Sequence, residues 1–282
     1  MENLQFDRIV EILPNLRIAG EIKRGGQKVV YNSYYNDELH CVLKIIKANQ
    51  REEKDRALRE INILSSLKSE YFPEIMNCGE FILDGQNTLF LVEEFIPGRN
   101  LRDELIHTSG KLDLSECKRI MCSLMDSLRI LAEQNLVHRD IKPENIIISD
   151  DRVVLVDFGI ARDLDNTSLT ETSALFGPMT PGYAPPEQIR NEKRKISFRT
   201  DLFSAAVVFY EILAGYNPFV IDTSSQIEKV QKVLYFNPPS LTSLGYNNTF
   251  DDFIFACLNK YCHRRPATMQ IANSIFNNIN WE

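Results

Sequence analysis

The run His138-Arg139-Asp140-Ile141-Lys142-Pro143-Glu144-Asn145 leads into two short apolar segments, Ile146–Ser149 and Val153–Asp157, and then into Phe158-Gly159. The apolar segments read as the strands of a hairpin. Three oxygen-bearing side chains, Asp140, Asn145 and Asp157, are therefore spaced around one small piece of sheet. Any one of them alone would read as a turn residue or a helix cap. Together, at this spacing, they make the segment a candidate for chemistry rather than for packing.

The chain has 282 residues, 44% of them hydrophobic and 25% charged, which is ordinary globular composition. A chain of this length allows one large domain or two lobes, and it buries enough surface to fold without a disulfide or a metal. Lys plus Arg is 32 and Asp plus Glu is 39, for a net charge of −7. That balance argues against a nucleic-acid partner, which normally meets a basic face. No stretch reaches the ~18 apolar residues a membrane span needs, so no membrane association is expected. Residues 1–10 carry Glu2 and Asp7 in place of a basic-then-apolar leader. The six cysteines are scattered, without a C-x-x-C pair, and read as reduced thiols of a cytoplasmic protein. Cys257, Cys262 and His263 form the one local cluster, read as core or surface rather than as a metal site.

The texture changes along the chain. Residues 16–48 are rich in Val, Ile and Tyr, with turns at Gly25-Gly26 and Asn36-Asp37, and predict antiparallel hairpins. Residues 51–68 carry Ala57, Leu58, Ile61, Leu64 and Leu67 at helical spacing. Strands are expected at 79–83 and 88–95, around Asp84-Gly85-Gln86-Asn87. Pro97-Gly98 then breaks the chain, and helices are expected at 114–135, 200–214, 250–260 and 267–280. An irregular, hydroxyl-bearing stretch from Ala161 to Pro181 is the kind of long loop that is usually functional.

The His138–Asn145 run followed by Asp157-Phe158-Gly159 resembles the catalytic loop and metal-binding triplet of the protein kinase family. Other landmarks of that family follow in order. Cys41-Val42-Leu43-Lys44 is similar to its V-A-I-K strand, and Glu60 matches the helix glutamate that pairs with the lysine. Glu94-Phe95-Ile96 ahead of Pro97-Gly98 matches the hinge. Thr180-Pro181-Gly182-Tyr183-Ala184-Pro185-Pro186-Glu187 resembles the end of an activation segment, with Arg265 as partner to Glu187 and Asp201 as the aspartate that ties down the catalytic loop. The resemblance spans roughly residues 10 to 280.

What the resemblance implies is specific. The fold would be α+β and two-lobed: a single kinase domain over 1–282, with a small β-rich N-lobe of about 1–96 holding one main helix, and a larger, mainly helical C-lobe of about 97–282. ATP would be the phosphoryl donor and Mg²⁺ the metal, with Mn²⁺ the other ion such ligands take. Asp140 would be the catalytic base, and Lys142 would neutralise charge on the transferred group. Asn145 and Asp157 would hold the metal, because hard cations take oxygen ligands. Lys44 would contact the α- and β-phosphates, held by Glu60. The backbone of Glu94 and Ile96 would meet the adenine edge, with Ile22, Val30 and Val42 on one side of the ring and Ile147 on the other. Gly25-Gly26 would turn over the phosphates, with Lys23 and Lys28 standing where the family pattern has its outer glycines. Thr170 and Thr172 would be autophosphorylation sites, with Arg139 as receiver.

Lys142 and the complete activation segment point to a serine/threonine protein kinase of bacterial texture acting on protein substrates. A pseudokinase scaffold and an ATP-dependent small-molecule phosphotransferase are the alternative readings. Glu93 falls at the gatekeeper position behind the adenine. A carboxylate there either finds a partner or turns outward, because burying it alone is costly.

Overall fold

A computed structural model describes residues 9–24, 28–47, 51–83, 85–158 and 179–282. The chain divides into two compact units, with the break between Pro97 and Gly98.

The first unit is built on five antiparallel strands: β1 (Leu16–Arg24), β2 (Lys28–Tyr35), β3 (Leu39–Lys47), β4 (Ile75–Leu83) and β5 (Gln86–Glu94), in the order β1-β2-β3-β5-β4. The turn between β2 and β3 holds Asn36 and Asp37 at φ 50° and 62°, a left-handed conformation these two residue types tolerate. Side chains alternate across a strand. Cys41, Leu43 and Ile45 of β3 and Phe90 and Val92 of β5 therefore share one face, where they join Ile9, Leu13, Leu16 and Tyr31 in a core. The alternate positions, Val42, Lys44, Leu91 and Glu93, belong to the other face. Residues Thr88 to Glu93 of β5 are buried in succession, so both faces of the sheet are covered along this strand.

Helix α1 (Arg51–Ser66) buries Ala57, Ile61 and Leu64 on one stripe and packs on β4. It stops two residues short of the periodicity because its end tightens: the Leu67 N–H donates to the Leu64 carbonyl at 3.0 Å.

The second unit carries a small sheet of β6 (Arg99–Asn100), β7 (Ile146–Ile148) and β8 (Val153–Leu155). Around it stand α2 (Leu101–His107), α3 (Leu114–Glu133), α4 (Pro186–Ile189), α5 (Phe198–Ala214), α6 (Gln226–Tyr235), α7 (Asn248–Cys257) and α8 (Met269–Asn277). Helix α5 is the axis of this unit. Every residue from Thr200 to Leu213 is buried, and α3 and α7 pack on it. Its start is fixed by Thr200, whose hydroxyl accepts from the Ser197 N–H at 3.2 Å. Its end is fixed by Gly215 at φ 81°. Phe209 of this helix meets Phe253 and Phe276 in tilted ring contacts, Phe253 meets Phe276 edge-on, and Trp281 lies against Phe250 and Phe276.

Candidate functional site

The chemistry-bearing residues fall into two groups, one in each unit. In the second unit, Asp140 sits at the centre of a tight network. Its Oδ2 accepts from Lys142 Nζ at 2.9 Å and from Asn145 Nδ2 at 3.1 Å. Its Oδ1 accepts from the Thr180 hydroxyl at 2.8 Å. Lys142 Nζ also donates to Thr180 Oγ1 at 3.2 Å. The Asp140 carboxylate is thus aimed by three side chains, two of them on its own loop.

The loop itself is held from below by Asp201, in the first turn of α5. One Asp201 oxygen accepts from the His138 N–H at 2.7 Å and the other from the Arg139 N–H at 2.9 Å. Two adjacent amides converging on one carboxylate require a bend, and Arg139 supplies it at φ 67°. Burial pushes the Asp201 carboxyl up to about 7, against the pull of those two amides and of the Arg139 charge. His138 is fully buried and fixes its own tautomer: Nε2 lies 3.1 Å from the Val156 carbonyl, which can only accept, so Nδ1 accepts the Asp140 N–H at 3.3 Å. Its ring also meets that of Phe158, at 4.7 Å between centroids.

Asn145 is placed by the 3-10 turn Pro143–Asn145 that opens β7. Its Nδ2 donates both to the Asp140 carbonyl, at 2.8 Å, and to the Asp140 carboxylate, so its Oδ1 is the atom left to act as a ligand. Asp157 follows β8 in a left-handed conformation, φ 68°. An amide oxygen and a carboxylate are donors suited to a hard divalent cation. Ile147 lies in β7, opposite Val154.

The segment from Thr180 to Glu187 is anchored deeper. Glu187 and Arg265 form a bidentate pair at 2.7 and 2.9 Å, both essentially without exposure. Thr200 donates to Glu187 at 3.1 Å, and Gln188 Nε2 donates to the Arg139 carbonyl at 2.9 Å. Arg102 of α2 pairs with Glu211 of α5 at 2.8 Å and with Glu144 at 3.0 Å, and bonds the Tyr183 hydroxyl. The sequence pattern pointed to the Glu187–Arg265 pair and to Asp201. Both came from the family resemblance, which did not extend to the links through Arg102, Glu211 and Gln188; bonds across 109 or 49 residues leave no local signature of their own.

In the first unit, Lys44 is buried on β3 and its ammonium meets Glu93 of β5 at 2.6 Å. Glu93 therefore finds a partner and does not turn outward. Glu60 lies on α1. Val30 is buried, Val42 is half-buried, and Ile22 is exposed. The Glu94 N–H is committed to the Glu74 carbonyl at 2.8 Å. Beyond it, Phe95 stacks on His40 at 3.7 Å between centroids, and Ile96 is buried. Gly25, Gly26, Thr170 and Thr172 lie outside the described residues.

Comparison with known proteins gives this arrangement a context. A family profile described as protein kinase domain matches residues 16–276. A protein of Bifidobacterium longum named "Probable serine/threonine-protein kinase PknB" is 33% identical over 219 residues, covering 76% of this chain and 31% of its own length. A second from that organism, named "Probable serine/threonine-protein kinase pknA2", is 32% identical over 262 residues, covering 89% of this chain and 33% of its own. "Serine/threonine-protein kinase PknB" of Mycobacterium leprae is 30% identical over 231 residues, covering 80% and 36%. The chain thus spans about a third of the length of these curated relatives.

Proposed function

The chain belongs to the protein kinase family, and from that premise we propose that it is a serine/threonine protein kinase, transferring the γ-phosphoryl group of ATP to protein hydroxyls. The single observation that carries this reading is the network around Asp140. A carboxylate fixed by Lys142, Asn145 and Thr180 is oriented toward a task, and phosphoryl transfer relies on positioning and charge neutralisation more than on covalent chemistry.

In this reading Asp140 accepts the proton of the incoming hydroxyl. The hydroxyl competes with Thr180 for Asp140 Oδ1, so Thr180 marks where the acceptor sits. Lys142, already within 2.9 Å of that carboxylate and bonded to Thr180, offers its remaining donor to the group in flight. Asn145 Oδ1 and Asp157 would hold Mg²⁺, which supplies neutralisation of the phosphate charge when bound. Lys44 would engage the α- and β-phosphates. With the Glu94 amide engaged by Glu74, recognition of the adenine edge at that residue falls to its carbonyl. Ile22, Val30, Val42 and Ile147 would flank the ring, and Gly25-Gly26 would turn over the phosphates.

Autophosphorylation at Thr170 and Thr172, with Arg139 receiving the phosphate, belongs to the same proposal. So does a cytoplasmic site of action, which six free thiols favour. Among the described residues no helix is long and apolar enough to cross a membrane.

The test is incorporation of labelled phosphate from ATP into a generic protein substrate, with the labelled amino acid identified. Label on serine or threonine in the wild type, falling by at least about a thousandfold in Asp140→Asn while nucleotide still binds, is the expected result. Near-wild-type turnover in Asp140→Asn would remove the assignment. Label on a small molecule alone would move it to another class of phosphotransferase.

A further inference from the structure

Glu93 and Lys44 sit on neighbouring strands of one sheet, with Val42 of β3 opposite Glu93 and Lys44 opposite Leu91. The two side chains emerge on the same face, one step apart along the ladder. They close to 2.6 Å, each with only 8% of its side chain exposed. Both strands are interior to the sheet, β3 between β2 and β5, and β5 between β3 and β4. The backbone positions from which the pair emerges are therefore set by ladder hydrogen bonds on both sides.

An ammonium has three N–H donors. One directed at Glu93 leaves two for other partners, so this bond does not exclude a phosphate or a second carboxylate. It does restrict the directions in which the remaining two can point. We propose that Glu93 is a positioning residue for Lys44: its carboxylate aims the ammonium from within the sheet, and nucleotide binding depends on that aim. The inference rests on the reading that Lys44 holds the nucleotide phosphates.

The test is a double-mutant cycle read by direct titration of Mg·ATP, with KM and kcat measured in parallel. Glu93→Gln keeps the shape and removes the charge. It is expected to weaken nucleotide affinity and raise KM by about tenfold, with a smaller change in kcat. Glu93→Asp is expected to recover part of the loss. In a Lys44→Met background, adding Glu93→Gln is expected to change affinity by less than about twofold, because the residue it acts through is gone. An undiminished effect in that background would overturn the proposal. So would unchanged or tighter binding in Glu93→Gln alone, which would make Glu93 a bystander or a competitor for the amine.

Thermal unfolding covers the case in which Glu93→Gln does not fold. Lys44→Met leaves a buried carboxylate unpaired, so Lys44→Met/Glu93→Met is expected to melt at or above Lys44→Met. A lower melting temperature in the double variant would show that Glu93 answers to something other than Lys44, against the proposal. If the wild type neither binds Mg·ATP nor transfers phosphate, the functional reading fails; the melting comparison still judges the pair.

Discussion

Lys260 is a buried amine with no acceptor. Its Nζ lies 4.4 Å from the ring centroid of Phe219 and 5.7 Å from that of Phe203, and it has no hydrogen-bond partner. Burial, with the nearby Arg265 charge, lowers it to about 7 from 10.5. Between those two values the unfolded chain binds more protons than the folded one, so this group's contribution to stability grows as pH rises from about 7 to 10.5. Asp201 acts with the opposite sign in the adjoining window. Its raised value means a contribution present below 3.8 and lost as pH rises through about 7. The two together put a dip near neutrality. Lys260→Met is expected to raise the melting temperature there and flatten the alkaline rise. Asp201→Asn is expected to flatten the acid-side fall while loosening the Asp140 loop, because one amide oxygen replaces two carboxylate acceptors. Thermal melts from about pH 4 to 10 check both, and an unchanged neutral melting temperature in Lys260→Met would refute the first. The residues around Asp140 were legible because they are close in sequence and chemically distinct. Lys260 was not, since a lysine on a helix-rich stretch looks solvated until a ring packs over it.

At the level of elements, Gly110 and Gly215 meet backbone to backbone, at φ 79° and 81°. A Cβ on Gly110 would stand 2.7 Å from the Gly215 carbonyl oxygen, which cannot swing away like a flexible side chain. Gly110→Ala is expected to cost about 1–3 kcal/mol from its φ alone and more from the contact; Gly85→Ala, also at positive φ but with open space around it, should cost less. Denaturant midpoints at constant slope would compare them, and equal losses would mean the contact carries no weight. The helix expected at 200–214 is α5, begun two residues earlier by its Ser197–Thr200 cap. Helices α2 and α6 were not read from the sequence, although each carries a signal. Asn100 accepts from the Asp103 N–H, and Ser225 from the Glu228 N–H. Both helices are short, and their few buried residues give too little periodicity to outweigh the polar ones. Strand β4 begins at Ile75 and not at 79 because Asn77 and Cys78 pair in the ladder without the alternation that marks a half-buried strand.

For the whole molecule, two compact units each with its own core predict unfolding that is not a single step. The chain has one tryptophan, Trp281, packed on Phe250 and Phe276 in the second unit. Its fluorescence reports that unit, whereas far-ultraviolet circular dichroism reports both. Their denaturation midpoints are expected to differ, and coincident curves would make the chain one cooperative block. The bonds that hold the Asp140 loop also have an order in time. Asp201 follows His138 by 63 residues, and Arg265 follows Glu187 by 78. A ribosome working at about 5–20 residues per second delivers Asp201 roughly 3–13 s after His138. During that interval the nascent loop has neither of its carboxylate acceptors, and the clamp on Glu187 forms only when Arg265 clears the exit tunnel. Chains arrested before Asp201 are expected to transfer no phosphate even when released intact from the ribosome, which stalling at defined codons would check. Translation thus acts as a delay line, withholding the finished loop until Asp201 is made and the clamp until Arg265 follows.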